Sequence, residues 1–281
     1  MIRKLLQAAI AIGLLIYGFF FLSGSDLQSE FIGAGVIGIL GLVALLIETI
    51  IINRNRLKLI IYCYYLGLRG QRIRFSMSYL YRIRVDDKYL LVKNNNFPHY
   101  QLVGGKYKVL DGTRSFLQKE FDAIDDPKLP NKDLMKDDFA LFIPAKNAIK
   151  FLDWFNEGKD REISHWREFY EELIEGKANL LSKDKFPYIN YNFKGRVMTP
   201  IKRTPGWDCY EILLYDILDI LPTPEQRQAF KQLQEQGDSD YHKWADSELI
   251  SCLGFDKREK KLIYKIGMHT KWAINMKWSK E

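Results

Sequence analysis

The chain has little of what several common functions need. It has three cysteines in 281 residues. Cys63, Cys209 and Cys252 lie far apart with no metal-ligand spacing, and an odd, scattered count argues against a disulfide framework. Cys63 falls next to an apolar stretch; the other two are expected as core thiols. Serine, histidine and aspartate show no triad spacing. There is no internal repeat and no low-complexity tract. There is also no long basic run, so a nucleic acid polymer is not an expected partner. The formal charge of +7 suits smaller anions, nucleotides or lipid head groups.

What the chain does have begins with two apolar stretches. Residues 5–22 carry only Gln7 as a clearly polar residue, and residues 31–52 only Glu48 and Thr49. Each is near the length that crosses a bilayer as a helix. The link between them, residues 23–30, is short, polar and acidic. Arg3 and Lys4 precede the first stretch; Arg54, Arg56 and Lys58 follow the second. The positive-inside rule then predicts a hairpin with both ends in the cytoplasm. A cleaved signal peptide is the competing reading of residues 5–22, with Ser23-Gly24-Ser25 as the cut site; a second stretch so close behind favours the hairpin. Small residues recur at Ala9 and Gly13 and at Ala34, Gly38 and Gly41. That spacing suits close helix packing, between the spans or between copies, and is also common in membrane helices generally. Glu48 is expected at the head groups.

This divides the chain into a hairpin (1–53), a juxtamembrane linker (54–71) and a basic domain (72–281) large enough to bury its own core. Residues 57–68 are too short for a third span. Their tyrosines, Tyr62, Tyr64 and Tyr65, mark either an interfacial segment or a first strand. Beyond them, residues 73–85 and 88–93 read as strands about an Asp86-Asp87 turn. After a polar loop, 94–99, a short strand at 100–103 runs into Gly104-Gly105. Helices are predicted over 113–124 and 145–156, a charged loop over 126–137 and a strand over 138–144. Strands are predicted over 188–203 and 207–221. Thr223-Pro224-Glu225-Gln226 opens a helix with a capping box. A short helix is predicted over 244–253, and the alternating tail, 261–280, is expected to close the sheet. The mixed order implies α+β or α/β.

Residues 167–174, Arg-Glu-Phe-Tyr-Glu-Glu-Leu-Ile, carry the densest chemical signal. A helix from about Ser164 to Gly176 places Glu168, Glu171, Glu172 and Glu175 on one face. Four stacked like charges repel unless a cation offsets them, and hard divalent ions choose oxygen ligands. An ordinary acidic, solvated face is the alternative. Phe169, Tyr170, Leu173 and Ile174 make the other face apolar.

The octapeptide resembles the second half of a Nudix box, and residues 89–94 with 100–108 resemble the strand that delivers the family's Gly-Gly into that box. The spacing departs from the family. Counted without a break from Gly105, the acid falls on Asp111, the Arg-Glu on Lys119-Glu120 and the paired glutamates on Ala123 and Ile124, which loses most ligands. Counted across an insertion at about 109–160, Gly104-Gly105 joins Arg167-Glu168 and Glu171-Glu172, with Glu162 as the preceding acid. The split register restores all three ligand positions and is preferred. Residues 158–162, running into Trp166 and Arg167, resemble SMODS-associated Nudix domains. Trp244 and Glu248 resemble a late Nudix element.

The resemblance covers roughly residues 72–275. It implies an α+β fold, a Nudix-like mixed sheet flanked by helices, behind a two-helix transmembrane hairpin. Together they are similar to a membrane effector of bacterial CBASS anti-phage systems. In such systems a cyclic oligonucleotide made on infection is sensed, and the effector oligomerises and damages the inner membrane. The alternative is a membrane-tethered Mg-dependent hydrolase of a nucleoside diphosphate derivative. By the same resemblance, Glu168, Glu171 and Glu172 bind Mg²⁺ or Mn²⁺ and, if hydrolytic, are catalytic with Arg167 as orienting partner. Gly104 and Gly105 allow close approach of phosphates, and Lys106 and Lys108 neutralise them. Trp166 stacks on a base or joins the core. His165 is a candidate base and His99 precedes the Gly-Gly strand; surface histidine is the preferred reading of both. Lys202-Arg203 and Lys257-Arg258 touch a ligand or solvate loops.

Overall fold

The computed structural model describes residues 2–94, 97–110, 112–127, 137–158, 162, 164–176, 179–203 and 208–279; the side chains of residues 2–6 and 8 lie outside that description. So do Arg3 and Lys4 as charged groups, Asp111, residues 159–161, most of the predicted 126–137 loop, and Trp207. The chain forms two compact units, 1–62 and 63–281.

The first unit holds α1 (Ile2–Phe20) and α2 (Gln28–Ile52). They approach closely where α2 lacks side chains: a Cβ on Gly35 would lie 2.5 Å from Leu15 Cγ, and one on Gly38 2.8 Å from Ala11 Cβ. Gly13 and Gly41 meet nothing within 4 Å, so only part of the small-residue pattern is used. Among the described residues one helix, Gln28–Ile52, is long and apolar enough to cross a membrane. Of the two expected spans the structure supports this one; in α1 the apolar part among the described residues is Ala9–Phe20.

Residues Arg54–Leu68 form α3, which removes the strand reading of residues 57–68. Its end is anchored by Leu66 and by Cys63, the buried thiol of the three; Cys209 and Cys252 are only half-buried.

The second unit is α+β. Its centre is β1 (Arg72–Arg82), whose interior residues are all buried. Such a strand needs partners on both edges and cover on both faces. On one edge it pairs antiparallel with β4 (Tyr100–Lys106) and, further back, β6 (Ala140–Pro144); on the other it runs parallel to β9 (Tyr210–Ile220). The hairpin of β2 (Arg84–Val85) and β3 (Lys88–Lys93) turns at Asp86, and β3 extends the sheet beyond β4. β5 (Ile124–Asp125) flanks β6; β7 (Tyr191–Met198) and β8 (Lys202–Arg203) flank β9.

The strand period of two divides β1 between two chemistries. Phe75, Tyr79 and Tyr81 face an aromatic layer. There Phe75 meets Phe151 of α5 (Ala148–Glu157), and Phe121 of α4 (Thr113–Phe121) packs on the same ring. Tyr81 meets Phe169 of α6 (Trp166–Phe169). On the other face, Leu80 joins Leu91, Leu102 and Ile217 in a core closed by Ile250, Trp272 and Ala273.

The capping box at Thr223 forms and starts α7 (Pro224–Glu235). Two predictions fail nearby. Residues 244–253 divide into β10 (His242–Asp246), paired with β3, and the short α8 (Ser247–Ser251), capped by the Asp246 side chain. Alternation was the better guide there, because Trp244 and Ala245 belong to a pleated edge. The tail does not close the sheet. β11 (Phe255–Asp256) and β12 (Lys261–Leu262) pair only with each other, and α9 (Met268–Asn275) packs Trp272 and Ala273 into the core.

Arg74 donates to Asp126 at 2.6 Å and to Glu211 at 3.1 Å, and all three side chains are at most 6 % exposed. Removing the cation takes a charged partner from two buried carboxylates, of which Glu211 keeps Lys202. Arg74→Met is expected to destabilise the domain by about 3–5 kcal/mol, measured by denaturant unfolding.

Candidate functional site

On its outer edge β4 is met at Tyr100 by residues 265 and 267 and at Leu102 N by Thr270 Oγ1. Past that point the outer edge of β4 carries N–H and C=O groups without a strand partner, and such groups need partners when covered. Side chains from α6 and from the turn that continues it, Tyr170–Ile174, supply them. Gly104 N donates to Glu172 Oε2 at 2.8 Å, and Arg167 Nη2 donates to Lys106 O at 2.8 Å. The glycines make this approach possible. A Cβ on Gly105 would lie 2.2 Å from the carboxyl carbon of Glu168, and one on Gly104, at φ +140, 2.2 Å from Tyr79 O. Gly104-Gly105 and Arg167–Glu172 therefore meet across the insertion, as the split register expects. In the unbroken register Glu120 instead pairs with Lys150 on the surface.

The carboxylate helix is shorter and wider than expected. α6 begins at Trp166 and passes at Tyr170–Ile174 into a turn with i→i+5 bonding, Glu175 N donating to Tyr170 O at 2.9 Å. The wider turn breaks the 3.6-residue period. Glu175 is exposed and accepts from Tyr170 Oη, so three carboxylates reach the site, not four.

Arg167 sits among them. Nη1 donates to Glu168 Oε1 at 2.7 Å and to Glu171 Oε2 at 3.2 Å, and Nε to Glu162 Oε1 at 3.2 Å. Glu162 also accepts from Lys108 N at 2.7 Å. Burial pulls the guanidinium down, but Glu168 and Glu162 outweigh it and hold it charged. Burial raises Glu168, partly offset by Arg167. Glu172 is pushed well above the ordinary carboxylate value by burial and then by the Glu168 charge.

These oxygens are the donor type that Mg²⁺ or Mn²⁺ takes. As arranged, however, they do not surround one point. Among the described residues no three His, Cys, Asp or Glu groups are placed to hold a metal ion. The Arg167 guanidinium occupies the space between Glu168 and Glu171, and Glu172 is engaged by the backbone. The arrangement does not fit a metal without rearrangement.

The carboxylates line one end of a cavity of about 430 Å³ that also includes Gly104, Gly105, Lys106 and Lys108. Both lysines reach Asp138, at 3.4 and 2.7 Å. Trp166 is not among the lining residues; it stacks on Phe169, with ring centroids 5.5 Å apart. His165 is not a surface residue. It lies within the tyrosine layer, 2.9 Å from both Tyr107 Oη and Tyr191 Oη. His99 is half-buried and lines the cavity. Lys202 pairs with Glu211, away from the cavity lining.

Sequence reasoning missed Ser76, Ser78, Gln101, Asp138, Tyr215 and His269, all of which line the cavity. One signal was present: small polar residues at every second position of an otherwise apolar central strand.

A mixed sheet whose Gly-Gly edge is bridged by an Arg-Glu-x-x-Glu-Glu helix is the architecture of a Nudix domain. The family model for the SMODS-associated NUDIX domain matches residues 72–274, and the chain belongs to that family. No curated protein and no solved structure matches the chain.

The raised Glu172 gives a pH prediction. Its unfolded value is about 4.3, so the folded state holds the proton more tightly. That stabilisation is complete below the unfolded value and is lost as pH rises through the folded one. Glu172→Gln keeps an acceptor for Gly104 N without a charge. It is expected to match the parent at pH 4 and to melt at least about 2 °C higher at pH 8, measured by calorimetry.

Proposed function

We propose that the chain is a membrane-anchored effector of the CBASS type. Family membership fits that context, since the family is defined by its association with SMODS proteins. In this reading the Nudix domain senses a cyclic oligonucleotide, and binding favours an oligomer whose N-terminal helices disrupt the inner membrane. Such a shift requires tighter ligand binding to the assembled state. The observation that carries the reading is the cavity itself. It sets Lys106 and Lys108 beside a glycine edge, in a chain that also holds an apolar helix of membrane-crossing length.

The packing of α1 on α2 supports a hairpin in which the two helices enter the bilayer together. The basic residues after α2 and the acidic link support cytoplasmic termini. Chemically, the lysines recognise phosphate by exchanging Asp138 for an anionic ligand, and the glycine edge admits it closely.

The second reading, a tethered hydrolase, has one observation in its favour. Glu168 and Glu172 are crowded carboxylates that a divalent cation would relieve. Under that reading Glu168, Glu171 and Glu172 hold Mg²⁺ or Mn²⁺ once Arg167 withdraws, and the metal supplies Lewis-acid activation of a phosphoryl group.

Glu171→Gln with Glu172→Gln separates the two. The sensor reading expects ligand-induced oligomerisation and liposome leakage to persist in the double variant, whereas Lys106→Ala with Lys108→Ala abolishes both. Mg²⁺-dependent turnover lost in the first variant would instead establish the hydrolase.

A further inference from the structure

The cavity changes character along its length. One end is charged, with Lys106, Lys108, Asp138, Arg167, Glu168 and Glu171. The other is uncharged, lined by Asn94, Phe97, His99, Gln101, Tyr215 and His269. Burial lowers both histidines, His269 to about 3 with His99 adding to the effect. Both imidazoles are thus neutral donor–acceptor groups at physiological pH.

Their geometry is fixed. Gln101 Oε1 accepts from Asn94 Nδ2 at 2.6 Å and lies 3.1 Å from His269 Nε2, which places the His269 proton on Nε2. The aromatic rings form two stacked pairs. Phe97 lies on His99 with centroids 5.8 Å apart and planes 9° apart; Tyr215 lies on His269 at 5.7 Å and 13°. His99 meets His269 edge-on at 5.7 Å. Phe97 is 57 % exposed and offers a ring at the lip. His99 Nε2 is buried with no hydrogen-bond partner among the described residues. That is a cost in the ligand-free molecule, and a ligand edge removes it once the imidazole turns toward it.

We propose that this uncharged end, Phe97, His99, Gln101 and His269, is a nucleobase subsite. A base is planar, neutral and edged with donors and acceptors, which matches ring stacking plus neutral hydrogen-bonding groups. The phosphates of the same ligand then fall at Lys106 and Lys108. The inference rests on the nucleotide-binding reading above and adds the part of the ligand that confers selectivity: the base is read by neutral groups, the phosphate by charge.

The test uses the full chain in detergent. Cyclic di-AMP, cyclic di-GMP, AMP and GMP are the base-bearing probes; ribose 5-phosphate and pyrophosphate are the base-free ones. Affinities are measured by calorimetry. The subsite predicts that base-bearing probes bind more tightly than ribose 5-phosphate. It also predicts that His99→Ala weakens them about tenfold while leaving the base-free probes within about twofold. Phe97→Ala, at an exposed position that folding tolerates, shows the same selective loss, and His99→Asn recovers part of it. Equal affinity for ribose 5-phosphate and the nucleotides, or equal weakening of all probes by Phe97→Ala, overturns the subsite and leaves phosphate recognition standing. Failure of every probe to bind overturns the subsite and the nucleotide reading together.

Discussion

The bonds between the outer edge of β4 and the carboxylate helix are the constraint on which the site depends. A strand edge that enters the interior must find partners. Here Glu172 accepts from Gly104 N, and Arg167 donates to Lys106 O. Side chains take the role of a neighbouring strand. That substitution works only if the strand has no side chains where the carboxylates arrive, and Gly105 leaves no room for a Cβ beside Glu168. The glycine pair, the arginine and the glutamates are one interlocking unit, so their co-occurrence in the sequence has a packing cause as well as a chemical one.

This explains what could be read from the sequence. The Gly-Gly strand and the Arg-Glu-x-x-Glu-Glu segment are both local patterns, and their meeting across the insertion followed from their shared logic. The central strand, the Asp86 turn and the Thr223 capping box are local too, and all three form. What escaped depended on tertiary context. Glu175 left the carboxylate face because of the wider turn at Tyr170–Ile174, and no residue there forbids an ordinary helix by propensity. The helix at 54–68 buries Cys63 and Leu66, which an aromatic cluster does not announce. His99 and His269 are 170 positions apart by number and meet only because Tyr100 bonds to residues 265 and 267.

Charge within the cavity is compensated internally. Asp138 holds both lysines, and Arg167 spans Glu162, Glu168 and Glu171. An anion entering this end does not meet free lysines; it competes with a carboxylate already in place. Binding is then an exchange of ion pairs, and its net strength is smaller than a simple count of positive groups implies. Selectivity for one anion over another has to come from elsewhere in the cavity, where the groups are neutral and directional.

The same exchange supplies a route by which ligand binding can act on structure. α6 is a single α-turn continued by a widened one, too short to be stable by its own propensity. It is held by Phe169 against Tyr81, by Tyr81 Oη donating to His165 O, and by the ion pairs of Arg167. Two of those supports are apolar or neutral and do not respond to an anion. The third does, because any ligand that draws Asp138 from the lysines alters the field around Glu168 and Arg167. A ligand shifts a conformational equilibrium only by as much as it prefers one state. In this domain α6 carries the charges that respond, so the preference is expressed there first, before it reaches the sheet centred on β1.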